Sequence, residues 1–250
     1  MNILVTFALK AEFAPWERRR DFRRLPGESP YYEAEMGNAR IRAVLTGMGQ
    51  AHALQTARRV LAERPDICIS TGLAGGLRDQ FCRGDVLVAR LVSEVGEPLA
   101  VAGHRELLSS AVECGAHQIE RLVTSPTLVA SAEEKRALGA EGEAVEMESY
   151  AILAEAARHG VPAVAIRAIS DTVNFNMPYD FERARDAQGQ IRVAGILRQV
   201  LRRPSGLPAL LGFSRDCRVA AWRLAAFLDA YTGMLADRLI PIEESLMAAL

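Results

Sequence analysis

The chain has 250 residues, half of them apolar, and its 30 basic and 31 acidic side chains nearly balance. Such a chain can bury one large core and is most simply explained as a single α/β domain. Its formal net charge of −1 argues against a protein that binds nucleic acid by electrostatic attraction. We interpret the basic run from Arg18 to Arg24 as a solvated helix face rather than a phosphate-binding patch.

Targeting, membrane-spanning and metal-binding patterns are not evident in the sequence. The N-terminus lacks the basic region of a signal peptide, and no stretch reaches the ~18 apolar residues of a spanning helix. The four cysteines and four histidines show neither a CxxC pair nor metal-ligand spacing. We therefore expect a cytoplasmic protein without a disulfide framework or a metal site.

Strands and helices alternate along the first third of the chain, which favours a largely parallel or mixed sheet. The apolar run Asn2 to Ala8 is typical of a strand covered on both faces. There follow a predicted helix from Lys10 to Phe22, a break at Pro26-Gly27, strands over Tyr31 to Met36 and Arg40 to Thr46, a helix from Met48 to Arg59 and a strand from Asp66 to Thr71. The next segment, Gly72 to Gly76, predicts either a tight turn or a loop that approaches a ligand closely.

The same alternation continues to Asp171. We predict a strand over Val86 to Val92, a helix near His104 to Cys114, a strand around Gln118 to Thr124, a short helix from Ser131 to Leu138 and an Ala-rich helix from Ser149 to His159. The apolar strand Pro162 to Ile169 then runs into Asp171. After a further helix, the tail contains a long apolar-periodic helix from Phe213 to about Leu235.

Carboxylates at predicted element boundaries suit cleavage of the N-glycosidic bond of a purine nucleoside. Asp171 is the candidate proton donor to the departing base, because burial favours the protonated form of a carboxyl. Glu148 could accept hydrogen bonds from two ribose hydroxyls, with Met147 beneath the sugar excluding water. Glu12, just past the first strand, could bind the 5′ side of the sugar or orient the nucleophile.

Each of these carboxylates also has a purely structural explanation. Asp171 could cap a turn, Glu148 could stabilise a helix N-terminus, and Glu12 could be an ordinary exposed side chain. Arg167 is harder to dismiss, because an arginine inside an apolar strand needs a buried acidic partner. We expect that partner to be Glu12 or a bound anion.

Six pieces of sequence, in order, resemble the purine nucleoside phosphorylase and adenosylhomocysteine nucleosidase superfamily. They are Glu12, Thr46-Gly-Met-Gly49, Ser70-Thr-Gly-Leu-Ala-Gly-Gly76, Gly84-Asp85, Val145-Glu-Met-Glu148 and Arg167-Ala-Ile-Ser-Asp171. The resemblance covers Met1 to about Thr172. It implies a three-layer α/β/α fold with a central mixed sheet that curls into a barrel, and it implies no metal.

The resemblance also implies roles for particular residues. The implied catalytic residues are Asp171, Glu12 and Arg167, and the implied substrate-binding residues are Glu148, Met147, Leu128, Val129, Leu73 and Gly72. In this scheme a strand from Leu122 to Ala130 holds the base, and an anion or water lies near Glu12, Arg167 and the glycine segment.

Leu73 departs from the family pattern, in which the glycine segment commonly carries serine or threonine. Without that hydroxyl, anion binding would depend on backbone N–H groups and on cations such as Arg167 and Lys10. The leucine also makes the pocket more apolar, which suits a substrate with an apolar 5′ substituent.

The tail, with its Arg-Arg-Pro-Ser-Gly-Leu-Pro-Ala-Leu-Leu run ending at Leu211, resembles the hopanoid-associated phosphorylases. That branch is implied to remove adenine from adenosylhopane, with inorganic phosphate as co-substrate and a phosphorylated ribosyl hopane as product. We expect residues 1–203 to form the nucleoside phosphorylase-like domain and 204–250 a C-terminal helical extension packed on it. The extension could complete the core, form the interface of a homo-oligomer or contact a membrane peripherally.

The sequence therefore predicts an enzyme that phosphorolyses a lipid-linked purine nucleoside. Two alternatives remain open. One is a hydrolytic methylthioadenosine or adenosylhomocysteine nucleosidase, which differs in not requiring phosphate. The other is a non-catalytic nucleoside-binding scaffold, against which the joint presence of Glu12, Glu148 and Asp171 argues.

Overall fold

A computed structural model describes residues 1–26, 31–184 and 192–238. The strands are β1 (Asn2–Phe7), β2 (Arg23–Leu25), β3 (Tyr31–Met36), β4 (Ala39–Leu45), β5 (Ile67–Gly76), β6 (Val86–Glu94), β7 (Ala100–Ala102), β8 (His117–Thr124), β9 (Ala144–Glu146) and β10 (Ala163–Asp171). The helices are α1 (Lys10–Arg19), α2 (Gln50–Leu61), α3 (Arg105–Glu113), α4 (Ala132–Leu138), α5 (Ser149–Arg158), α6 (Val193–Arg202) and α7 (Leu207–Arg238). The predicted break at Gly27 and the last residues of the predicted tail, 239–250, lie outside the described residues.

The strands form one mixed sheet that closes partly on itself. β10, β6, β8, β9 and β5 follow one another around a ring, and β10 closes it by pairing with β5 in parallel. From β5 the sheet continues through β1, β4 and β3 to β2. Helices α2 and α5 pack on one face of the sheet, and α1, α3 and α7 pack on the other. This arrangement confirms the predicted three-layer fold with a barrel-like sheet.

The glycine segment is a strand, so the prediction of a turn or loop there was wrong. Gly72 to Gly76 extend β5; the first four of these residues pair with β10, and the last two pair with β9. Their glycine-rich composition is typical of a turn, but hydrogen bonds to strands on both sides hold these residues in an extended conformation. Gly72 has a φ of +151°, and a Cβ there would lie 3.0 Å from Glu12 Oε1. Glycine at this position therefore lets a carboxylate approach the backbone.

The C-terminal helix is longer than predicted. It begins at Leu207 rather than Phe213 and is described to Arg238. The earlier start is possible because Pro208 lies in the first turn, where a backbone N–H is not needed. Beyond residue 220 the helix belongs to the core: Leu224, Leu228 and Tyr231 have no exposed surface. The expected domain boundary at residue 203 stays a prediction.

Other differences from the predictions are local. α1 ends at Arg19 rather than Phe22, and the short strands β2 and β7 were not predicted. Strands of three residues are too short to show an alternating pattern. The strand expected over Leu122 to Ala130 ends at Thr124, so Leu128 and Val129 lie in a loop. No helix in the described ranges is long and apolar enough to span a bilayer.

Candidate active site

A cavity of ≈ 400 Å³ lies where the carboxyl ends of β5, β9 and β10 meet α1 and α7. Ligands of open α/β folds bind at such strand ends. The residues predicted for the site that line this cavity are Glu12, Leu73, Leu128, Val129, Met147, Glu148 and Asp171. The other two lie next to it: Gly72 contacts Glu12, and Arg167 binds Glu146. Residues from distant parts of the sequence therefore converge as expected, except that Arg167 does not face the cavity.

Asp171 is paired with Lys135 of α4, a residue that the sequence analysis missed. The Lys135 ammonium is 0% exposed and donates hydrogen bonds to Asp171 Oδ2 and to the carbonyl oxygens of Thr172 and Phe175. Ser170 Oγ donates to the other carboxylate oxygen at 2.6 Å. Both oxygens of the candidate acid are thus oriented. Lys135 follows two glutamates in a short charged helix, a pattern that indicates solvent exposure, so the sequence carried no signal for this role.

Glu146 is the partner of Arg167, so the expectation that Glu12 fills this role was wrong, while a bound anion near Arg167 stays a prediction. Arg167 Nη2 lies 2.6 Å from Glu146 Oε2 and also donates to the hydroxyls of Ser70 and Ser149. The Glu146 carboxylate further accepts from the backbone N–H groups of Glu148 and Ser149 at the start of α5. A buried ion pair is tolerated when its remaining hydrogen-bonding capacity is used in this way. The partner could be identified only once β9 and β10 were both known to pair with β5.

Glu12 lies in the first turn of α1, with its carboxyl group turned toward the backbone. Oε2 accepts from Leu9 N and Oε1 from Leu73 N, each at 3.0 Å. Burial raises the pKa of Glu12 above its ordinary value, although these hydrogen bonds and the charge of Arg167 act in the opposite direction. A carboxyl with a raised pKa that borders a cavity is suited to act as a general base toward water.

Glu148 and Met147 occupy the connection between β9 and α5, as the sequence predicted. Glu148 Oε1 accepts from Gly49 N at 2.6 Å, which ties this connection to the start of α2. Burial, together with the nearby carboxylate of Glu146, raises the pKa of Glu148 to about 8. Met147 is 5% exposed and lines the same cavity. A carboxyl and an apolar side chain therefore lie side by side, as a ribose site requires.

The wall opposite these carboxyl groups is apolar and comes largely from α7. Leu210, Phe213 and Cys217 of this helix line the cavity. Phe213 stacks on Phe175, with ring centroids 5.4 Å apart and an interplanar angle of 16°. Burial raises the pKa of the Cys217 thiol to about 12, so the thiol is un-ionised at neutral pH and contributes to the apolar surface. The sequence predicted this helix but not its place at the cavity.

The sequence profile of the phosphorylase superfamily matches residues 3–202, which is most of the chain. The chain belongs to the phosphorylase superfamily, and the prediction of an enzyme of the nucleoside phosphorylase or nucleosidase kind is confirmed. A 5′-methylthioadenosine/S-adenosylhomocysteine nucleosidase of Staphylococcus aureus (strain bovine RF122 / ET3-1) is 26% identical over 176 residues, which are 61% of this chain and 77% of that protein.

Solved structures share the fold over nearly the whole chain. A mutant futalosine hydrolase of Helicobacter pylori strain 26695 superposes with a TM-score of 0.73 at 18% identity, covering 94% of this chain and 99% of that one. A 5′-methylthioadenosine/S-adenosylhomocysteine nucleosidase of Neisseria meningitidis, in complex with methylthio-immucillin-A, has a TM-score of 0.70 at 21% identity, covering 93% of this chain and 99% of that one. These similarities confirm the fold, while membership of the hopanoid branch stays a prediction.

Proposed function

We propose that this protein cleaves the N-glycosidic bond of a purine nucleoside that carries a large apolar 5′ group. The observation that carries this proposal is the composition of one cavity, in which Glu12, Glu148 and Asp171 face an apolar wall built by α7. The resemblance of the chain to proteins named as nucleosidases supports the same chemistry.

Each carboxyl has one step in the proposed reaction. As the glycosidic bond breaks, its electron pair goes to the departing base, which takes a proton from the carboxylic acid form of Asp171. Because Asp171 is ion-paired with Lys135 in the free protein, this proton is taken up from solvent before each turnover. The ammonium of Lys135 then stabilises the carboxylate that remains, because it already donates to Asp171 Oδ2. Glu148 binds the ribose hydroxyls, and Glu12 removes a proton from the water that attacks the anomeric carbon.

Water is the nucleophile that the charges around the cavity favour. The cavity is lined by the carboxyl groups of Glu12, Glu146, Glu148 and Asp171 against the one guanidinium of Arg218 among the described residues. Glu146 and Asp171 are ion-paired with Arg167 and Lys135, so Glu12 and Glu148 are the two carboxyl groups that would repel a phosphate anion when they are ionised. The raised pKa of Glu12 also suits a base that activates water. Hydrolysis is therefore the first candidate.

Phosphorolysis of adenosylhopane, which the resemblance implied, is the second candidate. It is supported by Arg218 at the cavity and by the Nε of Arg167, which has no hydrogen-bond partner within the described part of the chain. Rotation of Arg167 away from Glu146 would be required to bring its charge to a phosphate. That step would break a buried ion pair, which is costly.

The apolar 5′ group is inferred from Leu73 together with the α7 side chains. Mostly apolar pockets of this volume bind small molecules through a few placed polar groups. A polycyclic lipid attached at the 5′ carbon would extend out of such a cavity, past the first turns of α7. The α7 part of the wall lies beyond residues 3–202, so it is not part of the matched family profile.

The test is to incubate the purified protein with adenosylhopane, methylthioadenosine and inosine, each with and without inorganic phosphate, and to identify base and sugar products. We expect adenine release without phosphate, a free sugar product and the highest kcat/KM for the nucleoside with the larger apolar 5′ group. A phosphate requirement with a sugar 1-phosphate product would establish phosphorolysis instead. Binding of nucleosides without any base release would indicate a non-catalytic scaffold.

A further inference from the structure

We propose that α6 and the first half of α7 dock the protein on the surface of an anionic lipid bilayer. The large apolar side chains that are exposed in the described residues are concentrated here: six of eight lie between residues 197 and 222. They are Leu197, Leu201, Leu207, Leu211, Val219 and Trp222. Such clustering marks an interaction surface, whereas single exposed apolar residues are ordinary.

These side chains follow helical spacing. Leu197 and Leu201 lie four residues apart on α6 and are 55% and 84% exposed. Leu207 and Leu211 are again four apart on α7, and Trp222 lies eleven residues further on, which places it on the same side of the helix. Leu210, Phe213 and Cys217, which line the cavity, lie on the opposite side of α7, as do the residues of this helix that enter the core. Each helix therefore presents an apolar stripe to solvent.

Positive charge surrounds these stripes. Residues 192–223 contain seven arginines and one aspartate, a net charge of +6 in a chain whose total is −1. Arg198, Arg202, Arg203 and Arg215 are exposed, and the aspartate, Asp216, lies 3.0 Å from Arg83. We call this surface, formed by the apolar stripes and these four arginines, the leucine–arginine face. Apolar side chains that enter a bilayer beside arginines that bind anionic headgroups are the signature of an interfacial amphipathic helix.

The positive charge of the leucine–arginine face favours an anionic bilayer over a second copy of the chain as its binding partner. A twofold dimer through this face would bring the same patch of each subunit together, so the four arginines of one subunit would meet the same four arginines of the other. That repulsion disfavours the dimer, whereas an anionic bilayer complements the charge. Nucleic acid would satisfy the arginines but would leave Leu201, the most exposed of the leucines, without an apolar partner.

The leucine–arginine face also borders the cavity. Arg218 lines the cavity and lies between Leu211 and Trp222 along α7. A nucleoside whose 5′ group is embedded in a bilayer would thus reach the carboxyl groups without leaving the membrane. This last point rests on the proposed function, while the docking itself does not.

Tryptophan fluorescence tests the docking directly. The chain has two tryptophans, Trp16 with no exposed surface and Trp222 with 42%. A change on addition of vesicles therefore reports mainly on Trp222. We expect a blue shift and co-sedimentation with vesicles of phosphatidylcholine and phosphatidylglycerol in equal parts, little of either with phosphatidylcholine alone, and weaker binding at high salt. Trp222→Phe should abolish the shift.

Matched variants test whether vesicle binding depends on the leucine–arginine face or on other parts of the surface. The double variant Leu201→Glu/Leu211→Glu, and separately Arg198→Gln/Arg202→Gln, should each weaken binding to the mixed vesicles by roughly tenfold or more. Leu99→Glu is the control, because Leu99 is 71% exposed and lies outside this face. All three should retain base release from methylthioadenosine in solution at the level of the unmodified protein.

The proposal is overturned if the protein does not bind the mixed vesicles, or if binding is unaffected by Leu201→Glu/Leu211→Glu. It is also overturned if that double variant breaks up an oligomer, as measured by light scattering without lipid, because the face would then be a subunit interface. Vesicle binding is measured without any nucleoside. Failure of docking and failure of the proposed function are therefore distinguishable.

Discussion

Lys135 and Asp171 form an ion pair in the interior of the protein, with side-chain exposures of 0% and 4%. The ammonium also donates to the carbonyl oxygens of Thr172 and Phe175, each at 3.2 Å. The candidate acid at the end of β10 is thus held in position by a cation that belongs to helix α4. Because both charges are buried, removal of either one leaves the other without compensation, so a substitution at Asp171 tests both stability and chemistry.

Asp171→Asn should lower kcat for base release by roughly 100-fold or more, since general acid catalysis contributes on the order of 10²–10⁴. The amide keeps an oxygen that can accept from Lys135, so the variant should remain folded in a thermal melt, whereas Asp171→Ala would leave the ammonium unpaired. Asp79→Asn is the control, as Asp79 is exposed and binds Asn174. Turnover of Asp171→Asn close to that of the control would refute the assignment of the acid.

Lys135→Met should lower the free energy of unfolding by about 3–5 kcal/mol, because it leaves a buried carboxylate without its cation. The double variant Lys135→Met/Asp171→Asn should recover part of this loss, since no uncompensated charge remains. Urea denaturation of both single variants and the double variant measures this coupling. Additive losses would show that the two side chains do not interact.

Glu148→Gln should make stability less dependent on pH. The pKa of Glu148 is raised from 4.5 to about 8, so the folded state holds a proton that the unfolded chain has lost between these values. Stability contributed by this group is present at low pH and falls as the pH rises through that window. Glutamine cannot ionise but still accepts from Gly49 N. Relative to the unmodified protein, the Tm of the variant should therefore rise from pH 5 to pH 8 and then level off; a constant difference would contradict the shift.

Leu228→Ala should destabilise the protein by about 2–5 kcal/mol, the usual cost of a cavity in a packed core. Leu228 has no exposed surface and belongs to the cluster that joins α7 to the sheet. Leu99→Ala, at an exposed site, should change stability by less than about 0.5 kcal/mol. Equal and small effects at both positions, measured by urea denaturation, would mean that α7 is not part of the cooperative core.

Much of the site was predictable because the ends of strands can be recognised from short patterns of consecutive residues. An apolar run that stops at a carboxylate marked Asp171, and the junction of a strand with an Ala-rich helix marked Met147 and Glu148. These are local patterns, and their meaning depends little on which strands are neighbours. The glycine segment from Gly72 was misread because its composition is that of a turn, while its conformation is set by pairing with β9 and β10.

The sequence by itself determined the alternation of strands and helices, the superfamily resemblance and the positions of the candidate carboxyl groups, since periodicity and short motifs reside in consecutive residues. Only the tertiary structure decided the partners of the buried charges: Glu146 for Arg167 and Lys135 for Asp171. It also decided that α7 forms the apolar wall of the cavity. The physical reason is the same in each case. A buried charge or an apolar face must be matched by whatever lies beside it, and that neighbour is chosen by the closure of the sheet and the packing of helices far apart in the chain.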